Sequence, residues 1–129
     1  MVNQILVVED NREMRTFCEL LLSSEGYEVA TAEDGIQAIQ SVRQERPDLI
    51  LLDLCLPHMS GWEVMKGLQT LAAQVEIPVV IMSALSSTDF GPAAWAMGCT
   101  MYLQKPFDAD DLLLVVNRVL RPRGRCATA

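Results

Sequence analysis

Three uninterrupted apolar runs constrain this chain more than any other feature: Ile5-Leu6-Val7-Val8, Leu49-Ile50-Leu51-Leu52 and Val79-Val80-Ile81-Met82. Each has the length of a strand, and none alternates with polar residues. Both faces of each strand must then be covered, as in the inner strands of a parallel sheet. Two patchier segments, Tyr27-Glu28-Val29-Ala30-Thr31 and Met101-Tyr102-Leu103-Gln104, read as the edge strands. Helical periods lie between them. Met14, Phe17, Cys18, Leu21 and Leu22 form one helix face, stopped at Gly26; Ile36, Ile39 and Val42 mark a second helix, ended before Pro47. Val64, Leu68, Leu71 and Ala72 mark another, and Leu112, Val115, Val116 and Val119 mark the last, ended by Pro122. The order is β-α five times, which predicts a doubly wound (βα)5 α/β sandwich of three layers. Right-handed crossovers and two edge strands fit the parallel order 2-1-3-4-5.

A chain of 129 residues, half of them hydrophobic, is one domain with enough apolar surface for a core of its own. The expected division is a domain over residues 1–121 and a flexible basic tail over 122–129, continuing Arg121-Pro122-Arg123-Gly124-Arg125. Ten basic against seventeen acidic residues give a net charge of −7, which argues against direct binding of nucleic acid or an anionic membrane. No apolar run approaches the roughly 20 residues of a bilayer span, so no membrane insertion is expected. The N-terminus lacks the basic start of a secretory signal. Cys18, Cys55, Cys99 and Cys126 are scattered without a CxxC pair, which disfavours a disulfide framework or structural zinc and points to a reducing, cytoplasmic home. The single histidine, His58, excludes multi-histidine metal sites.

In a doubly wound sheet, ligands gather at the carboxyl ends of the strands, beside the switch point between strands 1 and 3. Strand 1 ends in Glu9-Asp10 and strand 3 in Asp53. Three carboxylates converging there repel one another unless a cation joins them, and hard oxygen ligands suit Mg²⁺, with Mn²⁺ possible in its place. Each residue also has a plain reading. Asp10-x-x-Glu13 is a capping box for the first helix. Asp53 could cap a turn, although its place between Leu52 and Leu54 makes an unpaired charge costly. Strand 4 ends in Ser83 and strand 5 in Lys105-Pro106; alone these are a loop hydroxyl and a solvated cation. Together the strand ends supply metal ligands, a nucleophilic carboxylate, a hydroxyl donor and an ammonium, which is the inventory of a phosphoryl site.

With Val8-Glu9-Asp10, Asp53-Leu54-Cys55-Leu56-Pro57 followed by Gly61, Ser83-Ala84, and Tyr102-Leu103-Gln104-Lys105-Pro106-Phe107, the chain resembles the receiver domain of two-component response regulators, of the single-domain chemotaxis type. The match runs from about Gln4 to Leu120. The resemblance implies a flavodoxin-like fold and a phosphorylation-dependent signalling switch. Asp53 is then the phosphoacceptor, taking its phosphoryl group from a histidine kinase or a histidine phosphotransfer protein. Glu9, Asp10, Asp53 and the backbone carbonyl of Cys55 are the implied Mg²⁺ ligands. Lys105 and Ser83 contact the phosphoryl oxygens, and a cis Lys105-Pro106 bond aims Lys105 into the site. Ser83 and Tyr102 form the switch: Ser83 moves toward the phosphoryl group and Tyr102 turns inward, changing the face made by helix 4, strand 5 and helix 5 for a downstream protein target or output domain. Tyr102 could instead be an edge-strand aromatic on the surface. Such a protein catalyses only its own phosphorylation and dephosphorylation.

The remaining conspicuous residues have mundane readings. His58 is a solvated loop residue, Trp62 packs the start of helix 3, and the methionines fill the core. Cys99-Thr100-Met101 stands where the family often has acidic residues. Gly91-Pro92 falls inside the fourth helix, which is therefore expected to start near Pro92 and leave 85–91 as a loop. Leu113 and Leu120 are expected on the flank of helix 5, open to a partner or, through the helix 4/strand 5/helix 5 face, to a second copy. A haloacid-dehalogenase-like phosphatase would need a second Asp where Cys55 stands. A flavin-binding module would need a phosphate cradle where Glu9-Asp10 would repel one. A receiver fold that binds partners without phosphorylation remains the third alternative.

Overall fold

The computed structural model describes residues 3–71 and 77–120. Ala72, Pro122, Cys126 and the 122–129 tail lie outside the described residues. The elements are β1 (Gln4–Val8), α1 (Arg12–Ser24), β2 (Glu28–Ala32), α2 (Gly35–Gln44), β3 (Leu49–Asp53), α3 (Gly61–Leu71), β4 (Val79–Ser83), α4 (Ser87–Ala96), β5 (Met101–Gln104) and α5 (Ala109–Leu120). Five parallel strands stand in the order β2-β1-β3-β4-β5, as the alternation of runs and periods implies.

The three apolar runs are continuous because successive side chains point to opposite faces and both faces are covered. Ile5, Val7, Leu49, Leu51, Val80 and Met82 pack with Cys18 and Leu22 of α1 and Leu112 and Val116 of α5. Leu6, Val8, Ile50, Leu52 and Ile81 pack on the other face with Ala38 and Val42 of α2, Val64 and Leu68 of α3, and Ala94 of α4. The edge strands are more open: β2 buries only Ala32, and β5 none of its residues fully.

Several local expectations are corrected. Helix α1 is capped by Asn11, whose Oδ1 accepts the Met14 amide at 2.9 Å, so Asp10-x-x-Glu13 is not its capping box. Phe17, expected on the inner face of α1, is 38% exposed, and Ile36 of α2 is 50% exposed. The buried stripes are narrower than the apolar periodicity. Helix α4 begins at Ser87 and runs through Pro92 to Ala96, so 85–91 is not a loop. Its start is set by Ser86, whose hydroxyl accepts the Asp89 amide, and by Gln104, whose Oε1 accepts the Ser87 amide at 2.8 Å. On α5, Leu113 and Leu120 are part-buried against the core, and the large apolar residue left in solvent is Leu114, 60% exposed. Gly26, with φ of 94°, ends α1 as expected, and Trp62 packs against the core at the start of α3.

Candidate functional site at the strand ends

The parallel register assembles the site. Val8 pairs with Leu52, so the next residues, Glu9 and Asp53, emerge side by side from β1 and β3. Asp53 pairs with Met82, and Ser83 with Gln104, which sets Ser83 and Lys105 one step further along the same end of the sheet. The Lys105 amide donates to the Ser83 carbonyl at 2.7 Å, extending the β4–β5 ladder past the strand. The Lys105-Pro106 peptide bond is cis.

Glu9, Asp53 and Ser83 are buried, at 1%, 4% and 0% exposure, while Asp10 is open to solvent. Carboxylate oxygens of Glu9, Asp10 and Asp53 all lie within 4.8 Å of one another. Lys105 Nζ donates to Glu9 Oε1 at 2.6 Å and to Asp53 Oδ2 at 3.2 Å. Burial pushes the Glu9 carboxyl up to about 7; the Lys105 hydrogen bond opposes this, and the neighbouring Asp53 adds to it. Burial alone would lower the Lys105 ammonium, but its bond to Glu9 and the two carboxylate charges outweigh that and raise it. When all are ionised, three carboxylates face one ammonium, −3 + 1 = −2, an imbalance that a divalent cation would cancel.

The residues fit such a cation. The donors are hard oxygens that lie within 4.8 Å of one another, near enough to share one small divalent ion such as Mg²⁺. The Asp53 carboxylate is fixed at its other oxygen, Oδ1, which accepts the Cys55 amide at 3.0 Å. The Cys55 thiol is exposed.

The expected switch residues are joined through Leu85. Its amide donates to Ser83 Oγ at 3.1 Å, and its carbonyl accepts the Tyr102 hydroxyl at 2.8 Å. Tyr102 is half-buried against the core, so it does not lie free on the surface. His58 is exposed, with φ of 68°.

Two positions were not singled out by sequence reasoning as structural parts of the site. Arg15 Nη1 donates to the carbonyls of Glu9 at 2.9 Å and Asp10 at 3.3 Å. Gly61 brings the start of α3 against the β3 end, its amide donating to the Leu54 carbonyl at 2.8 Å; a Cβ there would stand 2.4 Å from Leu54 Cα and 2.7 Å from the Asp53 carbonyl oxygen. The motif marked Gly61 without its reason. An arginine one turn into a helix carries no sequence signal of this kind.

A parallel sheet of this order with an acid cluster, a hydroxyl and a lysine at its carboxyl end defines a class, and the sequence comparison gives its name. Residues 5–117 match the response regulator receiver domain, and the chain belongs to that family, the phosphorylation-dependent signalling domains of two-component systems. It is 39% identical over 126 residues to the transcriptional regulatory protein PrrA of Mycobacterium tuberculosis, covering 98% of this chain and 53% of PrrA. The chain thus spans about half the length of that relative. It is 33% identical over 120 residues to sporulation initiation phosphotransferase F of Bacillus subtilis, covering 93% of this chain and 95% of that one. Among solved structures, the chemotaxis protein CheY4 of Vibrio cholerae superimposes with a TM-score of 0.87 at 31% identity, covering 93% of this chain and all of the other. Among the described residues no helix is long and apolar enough to cross a membrane.

Proposed function

We propose that this chain is a phosphoacceptor switch in which Asp53 takes a phosphoryl group from a histidine kinase or a histidine phosphotransfer protein. The observation that carries the reading is the placement of Lys105 Nζ between Glu9 and Asp53, with Asp10 beside them. An Asp53 carboxylate oxygen attacks phosphorus, forming an acyl phosphate. The bond from phosphorus to the donor breaks, and its electron pair leaves with the imidazole or, for acetyl phosphate, the acetate. Lys105 sits 3.2 Å from Asp53 Oδ2 and is thus ready to exchange its carboxylate contact for a phosphoryl oxygen. Glu9, Asp10, Asp53 and the Cys55 carbonyl are the proposed holders of Mg²⁺, which when bound neutralises charge on the phosphoryl oxygens. Burial of Glu9 and Asp53 keeps these interactions away from bulk water, where they would be weaker.

When the Ser83 hydroxyl moves to donate to a phosphoryl oxygen, it draws on the Leu85 amide whose hydrogen bond it accepts, and Leu85 holds Tyr102. That path leads to α4, β5 and α5, the proposed surface for a downstream protein or output domain, with self-association as a second use. Trp95 of α4, 70% exposed, and Leu114 of α5 are apolar residues available there. The chain's chemistry is confined to its own phosphorylation and dephosphorylation, in the cytoplasm, without direct contact with nucleic acid or insertion into a membrane. Residues 1–121 form the receiver unit, and 122–129 its basic tail.

The test is intact mass after incubation with Mg²⁺ and acetyl phosphate. Wild type is expected to gain one base-labile phosphoryl group, absent from Asp53→Asn and absent without Mg²⁺. Mg²⁺ binding with no adduct from acetyl phosphate or a phosphohistidine donor would overturn the reading in favour of a receiver fold that acts without phosphorylation.

A further inference from the structure

We infer that Arg15 is a positioning residue for the cation-binding loop, acting from behind the carboxylates on the peptide groups that carry them. The inference rests on the reading of Glu9 and Asp10 as metal ligands and adds a residue to that site.

The loop from Glu9 to Asn11 has to aim two consecutive side chains at one point, whereas an extended strand would send them to opposite faces. Glu9 is held on every side: its amide donates to the Ala32 carbonyl at 3.0 Å, its Oε1 accepts from Lys105, and its Oε2 accepts the Asn11 amide at 3.2 Å. Asp10 has no such support: its side chain makes no hydrogen bond to another described residue, and it is exposed. Its direction is therefore set by its backbone. Arg15 fixes that backbone, because a single nitrogen, Nη1, donates to the Glu9 carbonyl at 2.9 Å and to the Asp10 carbonyl at 3.3 Å. The two peptide planes are thereby turned toward one guanidinium, itself carried on the first turns of α1 and only partly exposed. Groups that orient metal ligands from outside the coordination shell alter affinity by roughly 10- to 100-fold when removed.

Positioning and simple electrostatics predict opposite results here. A guanidinium close to a cation site repels the cation, so loss of its charge alone would tighten Mg²⁺ binding. Loss of its hold on the two carbonyls frees Asp10 and weakens binding. Titration calorimetry with MgCl₂ on wild type, Arg15→Gln and Arg15→Lys separates them, with urea unfolding of the metal-free proteins alongside. The expected result is roughly tenfold weaker binding in Arg15→Gln. Arg15→Lys, which keeps the charge but has a compact ammonium in place of the fork, is expected to fall between Gln and wild type. Acetyl phosphate labelling should slow at limiting Mg²⁺ and recover at saturating Mg²⁺. Equal or tighter binding in Arg15→Gln would overturn the inference, and if that variant fails to fold, unchanged binding in Arg15→Lys would do so. Wild type that binds no Mg²⁺ would instead remove the metal-site reading itself.

Discussion

At the scale of single residues, the site gathers like charge in a place that would otherwise be apolar. Glu9 and Asp53 are both buried, and Lys105 is shared between them. Replacing Asp53 by Asn keeps the shape and removes one of two adjacent buried charges. We expect Asp53→Asn to be more stable than wild type without metal, by about 1 kcal/mol in urea unfolding, while accepting no phosphoryl group. Gly61→Ala should do the reverse. Its Cβ would meet Leu54 Cα at 2.4 Å, backbone that cannot yield cheaply, so a loss of about 2 kcal/mol and slower labelling are expected from unfolding and mass measurements. The residues that meet at the strand ends were legible in the sequence because each is a polar group at or just past the end of a predicted strand. What supports them was not. Asn11 rather than Asp10 caps α1, since both can accept an amide and only packing shows that Asp10 is turned toward Glu9 and Asp53. Arg15 acts through backbone carbonyls, which no side-chain pattern encodes.

Among the elements, α4 departs furthest from what its sequence suggests. Proline lacks the N–H that would bond to the Thr88 carbonyl, and it usually bends or breaks a helix interior, yet Ser87–Ala96 is helical throughout. Anchoring at the first turn by Ser86 and by the Gln104 side chain, from an element 17 residues away, offsets that defect. A Gln in the last position of a strand gives no hint that it will cap a helix. Amide exchange in 87–96 is therefore expected to be faster than in α1 or α5. Pro92→Ala should slow it and add about 1–3 kcal/mol to the helix, whereas Gln104→Ala should speed it at about 0.5–1 kcal/mol cost. The helix also has an unusual surface. Asp89 is its one charged residue, and only Ala94 is fully buried, so much of its apolar composition faces outward, Trp95 above all. Elements with a simple period were read well: β1, β3 and β4 were each placed to within a residue by their apolar runs. Helix stripes were overestimated, because Phe17 and Ile36 are apolar by composition and outward by rotation about the helix axis.

For the whole molecule, two cores on opposite faces of one sheet share the inner strands, so the protein should unfold in a single cooperative step. Mg²⁺ at ten times its dissociation constant is expected to raise that stability by about 1.4 kcal/mol, and chelation to remove the gain, as followed by urea unfolding with and without EDTA. The topology was legible as a whole because the handedness rule and the alternation of elements leave few arrangements. The register that sets Glu9 beside Asp53 was not, since apolar runs of equal length can pair one step apart. The contact between Glu9 and Lys105 joins residues separated by 96 positions. During synthesis the acids of the first and third strands leave the ribosome well before the lysine that balances them. A nascent or truncated chain ending before the fifth strand carries the acid cluster without its ammonium. The charge balance at the strand ends is thus completed only once the chain has been made past its fifth strand, with α5 alone still to follow.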